Sequence, residues 1–362
     1  VLQVVPALHG GGVERSTLEV AAELVRLGHR SLVISGGGRL VPELLSAGSE
    51  HVFWPVGRKS PLTLRLIPRL RRLLLREGVD ILHARSRMPA WVAWLAWRGM
   101  APGRRPHFIT TVHGLNSVNV YSAVMLKGER IIAVSGSVRD FVLQHYPRVE
   151  PECISVIPRG VDTSVFAPDY RPDAAWLADW YRQYPQLQNS YLLTLPGRVS
   201  RRKGIADFLE IIAALKTRGV PVHGLVVGEF SQGTALPGRK LQEKIAYLGL
   251  GETITFTGYR YDVRDIIATS CVVLSLSLLP EAFGRTVNEA LSLQVPVAGY
   301  AHGGVGEQLA RHFPAGAVTP GDTEAMVDRL LAWHAEPPAM QGVNAYTLTD
   351  MLAHTLALYH SL

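Results

Sequence analysis

Cysteine is nearly absent from this chain of 362 residues: Cys153 and Cys271 stand alone and far apart. Two such residues give neither a disulfide framework nor the paired spacing of a zinc site. No stretch of 18 uninterrupted apolar residues occurs, so no segment has the length of a membrane-spanning helix. The opening residues, VLQVVPAL, have the pattern of a buried strand and lack the basic region of a signal peptide. D-x-D is missing, and so are the G-x-G-x-x-G dinucleotide fingerprint and the Walker A pattern. Zinc-finger, RNA-recognition and similar nucleic-acid motifs are missing too, which sets nucleic acid aside as a partner. Charged residues make up only 19% against 47% hydrophobic. That balance excludes a disordered chain, and the length suits two domains.

Charge is spread unevenly. Residues 1–165 hold 21 Lys+Arg against 12 Asp+Glu, a net of +9, while the remainder holds 16 against 18, a net of −2. An asymmetry of this kind turns one half of a molecule toward an anionic surface. The partner it fits is an anionic membrane leaflet or a phosphorylated glycolipid.

Short apolar runs alternate with helical patterns twice over. The first half offers strand candidates at 1–8, SLVIS (31–35), HVFWP (51–55), VDILHA (79–84), HFITTVH (107–113), RIIAVS (130–135) and CISVIP (153–158). The first helix, ERSTLEVAAELVRLG, repeats Leu18, Ala21, Ala22 and Val25 at helical spacing and stops at Gly28. The second half offers YLLTLPGR (191–198), HGLVVGE (223–229), TITFTG (253–258), CVVLSLS (271–277) and VPVAGY (295–300), with helices at 204–218 and 238–249. Pro168 and Pro172 mark the join, followed by a Trp- and Tyr-rich helix at 173–184. Strands alternating with helices build right-handed βαβ units, so each half is expected to be a doubly wound parallel sheet. Ligands then belong at the carboxyl ends of the strands, in a cleft between the halves.

Four constellations carry chemistry. PEAFGRTVNEAL (280–291) follows an apolar run and places Glu281 in a turn and Glu289 in the helix after it. The first N–H groups of a helix lack partners and carry the positive end of its dipole, which suits a phosphate. The bland alternative is a pair of carboxylates facing water. LPGRVSRRKG (195–204) sets Arg198, Arg201, Arg202 and Lys203 at the end of a strand, level with PEAFGRT. Two cations opposite a helix N-terminus make a diphosphate site, unless the loop is simply solvated. HGGGVERS (9–16) either rests an anion on the first helix or is only a tight turn. His113, closing TTVHG, is either structural or a donor to a substrate hydroxyl or phosphate. No acidic pair has the spacing of a magnesium clamp. The charge on a departing diphosphate therefore falls to Arg198, Lys203 and the helix dipole, and no metal or other cofactor is expected.

VIPRGVD (156–162), GRVSRRKG (197–204), VVGE (226–229), ITFTGY (254–259), PEAFGRTVNEA (280–290) and AHGGVGE (301–307) follow one another along the chain. Together they resemble the retaining nucleotide-sugar glycosyltransferases of family 4. LHARSRMPAWVAW (82–94) resembles the branch that builds lipopolysaccharide and other cell-envelope glycans. The resemblance implies an α/β protein of GT-B fold, with two Rossmann-like parallel-sheet domains facing each other across a cleft. It implies an acceptor-binding domain over 1–165, a donor-binding domain over 166–345, and a last helix over 346–362 packing back on the first domain.

Roles follow position by position. The resemblance puts Glu281 on the donor sugar hydroxyls, Glu289 on the ribose, and Phe283, Gly284, Thr286 and Val287 around sugar and diphosphate. Arg198 and Lys203 match the cationic pair on the diphosphate, Gly11 and Gly12 the N-terminal glycine loop, and His113 the histidine near the donor sugar. Glu229 and Tyr259 lie where the base is held. The chain departs from the commoner IPNGVD by carrying Arg159, so the role of that asparagine does not carry over. The implied activity is metal-independent, configuration-retaining transfer from a nucleotide-diphosphate sugar, a UDP-sugar first, to a glycolipid or oligosaccharide such as lipopolysaccharide. A nucleotide-sugar epimerase or hydrolase, or a non-catalytic binding protein, are the competing readings on the same fold.

Residues 62–78 form a basic helix in which Arg65, Arg69, Arg72 and Arg76 recur along one stripe among leucines. Trp91, Trp94 and Trp97 follow soon after. The stripe and the excess of +9 agree in sign and place. The expectation is a cytoplasmic protein held peripherally on the inner face of the cytoplasmic membrane. A solvated helix face, interrupted at Pro68, is the bland alternative.

Overall fold

Strands with almost no exposed side chain decide the packing of this chain. The computed structural model describes residues 1–230, 238–340 and 345–362. β1 (Leu2–Val4), β2 (Leu32–Ser35) and β4 (Ile81–Ala84) are buried at every residue. β5 (His107–Val112) and β6 (Arg130–Ala133) are buried at all but the first. β3 (Glu50–Phe53) and β7 (Ile154–Val156) stand at the two edges. Runs buried on both faces belong to parallel sheets covered by helices. The observed order is β3-β2-β1-β4-β5-β6-β7, and every neighbouring pair is parallel.

The second sheet repeats the plan. β8 (Tyr191–Pro196) and β9 (Val222–Val227) are wholly buried. β10 (Ile254–Gly258), β11 (Val272–Ser275), β12 (Val297–Tyr300) and β13 (Ala317–Val318) complete the order β10-β9-β8-β11-β12-β13, again all parallel. In each sheet the winding direction reverses beside the first strand, between β1 and β4 and between β8 and β11. Loops leaving the two strands at such a reversal turn to opposite faces and leave the carboxyl edge uncovered.

The chain divides into two units. One comprises Val1–Arg159 with Leu348–Leu362, the other Gly160–Thr347. In the second unit the helix Ile205–Thr217 buries Phe208, Leu209, Ile211, Ile212 and Leu215 against the sheet. The helix Ala174–Gln183 is capped by Asp173, whose carboxylate accepts from the Ala175 N–H at 2.8 Å. Trp176 and Trp180 stack along it, and Arg260 lies over the Trp180 ring.

In the first unit the helix Gly12–Arg26 buries Leu18, Val20, Ala21 and Leu24. Ala22 and Val25, expected on the core stripe, are only half-buried. The stripe is rotated by one residue because Val20 and Leu24 meet the last helix, Leu348–His360, which supplies Met351, Leu356 and Tyr359 to the same core. The basic segment also differs from the single helix expected over 62–78. It is a 3₁₀ turn, Pro61–Arg65, followed by the α-helix Leu66–Arg76. Pro68 does not break that helix. It stands in the first turn, where a backbone N–H has no intrahelical acceptor to lose.

A buried polar chain ties the last helix to the sheet. Tyr359 Oη is 2.6 Å from His83 Nδ1, and His83 Nε2 is 2.7 Å from Thr111 Oγ1. Burial and the nearby Arg85 and Arg159 push His83 well below the usual imidazole range, so the ring is neutral. Tyr359→Phe removes one partner from a fully buried ring. It should lower stability by roughly 1–3 kcal/mol, read as a lower urea midpoint at unchanged m-value.

Candidate functional site

The loops that leave β8 and β11 meet at the reversal of the second sheet. After β8 the chain runs through Arg198 to a 3₁₀ turn, Arg201–Lys203, and enters the next helix at Gly204. Gly204 has φ +70°, and a Cβ there would lie 2.0 Å from the Leu276 carbonyl oxygen, so only glycine lets the two loops come this close. The Leu278 N–H donates to the Arg202 carbonyl at 2.8 Å and joins them. Lys203 Nζ thereby reaches Glu281 Oε1 at 2.7 Å.

Glu281 is held from three sides. Lys203 and the Ser277 hydroxyl both donate to Oε1. Its backbone bridges to Gly303, and its carbonyl accepts the Gly304 N–H at 2.7 Å. His302 Nε2 donates to the Ser277 carbonyl at 2.7 Å and fixes the residue that carries the hydroxyl. Burial is the largest single influence on the Glu281 carboxyl and pushes its pKa up. The charge and hydrogen bond of Lys203, the Ser277 bond and His302 together outweigh it, and the net shift is downward.

Phe283 is buried and Gly284, at φ +88°, begins the helix Arg285–Ser292. Gln308 donates to the carbonyls of Phe283, Gly284 and Gly304, which locks this entry. Thr286 is half-buried at the start of the helix. Val287 is the third residue of this helix. Its side chain is fully buried in the core, and its N–H bonds to the Gly284 carbonyl at 3.1 Å. Glu289 sits one turn on, with Arg285 Nε 3.0 Å from its Oε1.

The other expected residues line the same sheet edge or lie in the first unit. Arg198 is exposed just past β8. Glu229 follows β9, is exposed, and accepts the Val199 N–H at 2.8 Å through its carbonyl. Tyr259 follows β10 and is 47% exposed. In sheet order, Tyr259, Glu229, the Arg198–Lys203 loop and Glu281 thus form one row along the carboxyl edges of β10, β9, β8 and β11. Gly11 and Gly12 open the first helix of the first unit. His113 follows β5 in that unit, half-buried, with Arg159 Nη2 at 2.5 Å from its Nδ1.

Sequence reasoning missed Ser277, His302, Gln308 and Arg159 as supports. His302 lies within the motif AHGGVGE, but nothing in the motif marks the histidine's partner.

Two family models cover most of the chain: Glycosyltransferase Family 4 over residues 10–165 and Glycosyl transferases group 1 over residues 179–347. A glycosyltransferase from Rickettsia africae is 30% identical, with TM-score 0.87 over 99% of this chain and 97% of its own. The chain belongs to the family 4 glycosyltransferases. The two parallel sheets are those of the GT-B fold, shared by the Anabaena protein Alr3699/HepE, solved with UDP and glucose. That protein is 18% identical, with TM-score 0.84 over 100% of this chain and 99% of its own. The yeast phosphatidylinositol N-acetylglucosaminyltransferase GPI3 subunit is 25% identical over 83% of this chain and 67% of its own length.

Within this family 4 glycosyltransferase the Lys203–Glu281 pair sets a pH dependence. The Glu281 pKa is depressed in the folded state, so the pair adds stability above the ordinary glutamate range and loses it as pH falls through the folded value. Lys203→Met should therefore destabilise the protein near neutrality, and the gap to the unaltered protein should narrow in acid. Urea unfolding at the two pH values checks this. An equal gap at both would show that Glu281 does not titrate through Lys203.

Proposed function

We propose that this family 4 glycosyltransferase moves a sugar from a UDP-sugar to a lipopolysaccharide or other cell-envelope glycan acceptor, with retention and without a metal. The observation that carries the reading is the Lys203–Glu281 pair, set beside the start of the helix Arg285–Ser292 at the reversal of the second sheet. The Anabaena protein's UDP and glucose support a UDP-sugar donor. The yeast subunit's N-acetylglucosaminyl transfer to phosphatidylinositol supports a lipid-linked acceptor. The 82–94 segment points to a cell-envelope glycan.

In this reading Lys203 and Arg198 take the diphosphate together with the backbone donors of the helix start. Both side-chain donors to Glu281 fall on Oε1, and Oε2 accepts from the sugar hydroxyls. Glu289 accepts from the ribose diol, since one carboxylate can take two hydroxyls. Glu229 and Tyr259 flank the base. The sugar C1–O bond to the diphosphate breaks while the bond to the acceptor oxygen forms on the same face. The acceptor proton passes to the departing diphosphate oxygen, so no protein nucleophile is required. Cations and dipoles fixed in advance stabilise the charge that builds on the diphosphate.

Isothermal calorimetry with UDP tests the site. Glu289→Ala should weaken UDP binding about ten- to a hundredfold, the scale of a hydrogen bond to a charged group, with the fold kept. Affinity equal to the unaltered protein would remove Glu289 from the ribose. Transfer should also survive EDTA, and a loss restored by magnesium would overturn the metal-free reading.

The reading extends to a membrane surface. Arg65, Arg69, Arg72 and Arg76 are exposed on one side of the segment 61–76, whose opposite side buries Leu66, Leu70, Leu73 and Leu74. Leu62 and Leu64 are exposed beside them. Arg76 shares its charge with Glu77 at 2.6 Å, which leaves the other three as the principal cations. Each contributes about 1 kcal/mol near an anionic leaflet. Co-sedimentation with vesicles containing anionic lipid should occur at low salt, fall at high salt and vanish when the four arginines become glutamine. Binding to neutral vesicles of equal strength would leave the stripe an ordinary solvated face.

A further inference from the structure

The segments that leave the carboxyl ends of β1 to β5 in the first unit are residues 5–12, 36–40, 54–60, 85–87 and 113–122. They hold Arg39, Arg58, Lys59, Arg85 and Arg87 and not one Asp or Glu. Three strands separate β3 from β5 in the sheet, yet the segments after these two meet at one side chain, Tyr121. Lys59 Nζ lies 5.8 Å from the centre of its ring, and the Arg87 guanidinium carbon lies 5.3 Å from it. All of these groups belong to the first unit.

Each part of this clamp is fixed. Trp91 Nε1 donates to the Tyr121 carbonyl at 3.0 Å, and Arg87 Nη1 donates to Ser122 Oγ at 3.3 Å. Asn119 Oδ1 accepts the Ser122 N–H at 2.8 Å and closes the turn that carries Tyr121. On the other side the buried Thr63 donates to the Arg58 carbonyl at 2.7 Å, and the Ser60 N–H reaches the same oxygen at 3.0 Å, which holds Lys59 in a tight turn. Among the described residues neither Lys59 nor Arg87 has a carboxylate partner, although Arg15, Arg26, Arg30 and Arg76 of the same unit all do. Two cations held on one ring without a counter-charge repel each other, and an anion bound by both offsets that cost. Apolar side chains flank the pair. Val118 and Val120 are 48% and 81% exposed just before Tyr121, and Leu62 and Leu64 are 62% and 47% exposed just after Lys59. Exposed apolar groups beside charge mark a surface that meets a partly apolar partner.

We infer that Lys59 and Arg87, held on Tyr121, form a site for the phosphate of a single lipid molecule, with Val118, Val120, Leu62 and Leu64 against the start of its chains. The guanidinium fork suits two phosphate oxygens and the ammonium a third. The site differs from the arginine stripe on 61–76. The stripe answers to the charge of a whole surface, whereas the clamp takes one phosphate together with the apolar group attached to it. That this lipid is the sugar acceptor rests on the proposed function. Binding of a lipid phosphate does not.

Isothermal calorimetry on the full-length protein tests the site, with saturating UDP present so that the second unit takes no phosphate. The probe is dihexanoylphosphatidic acid below its micelle concentration, which offers one phosphate and two short chains without a surface. It should bind saturably at one site. Lys59→Gln combined with Arg87→Gln should weaken it about ten- to a hundredfold, the scale of charge-assisted hydrogen bonds, and leave UDP affinity unchanged. Replacing the four stripe arginines by glutamine should leave binding of this monomeric lipid as it is. Inorganic phosphate and dihexanoylglycerol, which carry the two halves of the probe, should each bind at least about tenfold more weakly. No binding of the probe, equal affinity in the double variant, or as large a loss in the stripe variant would overturn the inference. So would phosphate or dihexanoylglycerol binding as tightly as the probe. Should the double variant fail to fold, Lys59→Gln alone, at an exposed side chain, decides by a loss of about fivefold or none. UDP that fails to bind would overturn the proposed function, and the lipid titration, run without it, would still decide the site.

Discussion

A parallel sheet must send every connection over a face, and where the winding reverses, two loops part and leave backbone and side chains uncovered. In the second unit that reversal falls between β8 and β11. Everything assigned to donor binding there depends on how closely the two loops approach before they separate. Gly204 against the Leu276 carbonyl, the Leu278–Arg202 bond and the Lys203–Glu281 pair are successive contacts of that one approach. The row continues outward along β9 and β10 because parallel strands all present the same end. A carboxylate placed at such an edge is drawn out of water by its neighbours, and Lys203 and Ser277 offset the cost of that burial.

The strands were legible because their apolar runs are short, nearly continuous and bounded by turn residues, as in YLLTLPGR. Their ends were not: eight of the expected runs overran at the carboxyl end, taking in residues such as His113, Ser135 and Glu229 that lie past the last paired residue of the strand. β13, two residues long, left no run to detect. In the site, Lys203 and Glu281 were legible because each follows a strand and belongs to a resembling motif. Ser277, His302 and Gln308 were not, since His302 and Gln308 reach from the segment after β12 to the segment after β11, the first of them fixing Ser277, and these contacts depend on the register between those strands. Val287 shows the converse. It belongs to the same motif as Glu281, but a helix turns 100° per residue and carries its side chain into the core.

Net charge also proved an incomplete guide to the surface of the first unit. Part of its excess of arginine never reaches solvent as free charge. Arg85 and Arg159 are buried. Arg105 donates to the carbonyls of Met100 and Arg98, both at 2.9 Å, and lies 4.7 Å above the Trp97 ring. Arg71 turns to the Ala96 carbonyl at 3.3 Å. These guanidiniums act as many-armed donors that close loop ends and helix termini, a use for which lysine is poorly shaped. The positive charge left free at the surface of the first unit is therefore less than composition suggests.

The last helix has a consequence for how the chain is made. Met351, Leu356 and Tyr359 complete a core that otherwise belongs to the first 159 residues, packing with Val20, Leu24, Ile81, Ile109, Ile132 and Ile157. A ribosome delivers residues 348–360 only after all of Gly160–Thr347. The second unit has its whole sequence contiguous and is free to fold as it emerges, whereas the first must wait with an apolar patch open until synthesis reaches its final helix. During that interval the nascent first unit is a substrate for chaperones and a hazard for aggregation. Its completion is timed by translation of the unit it precedes.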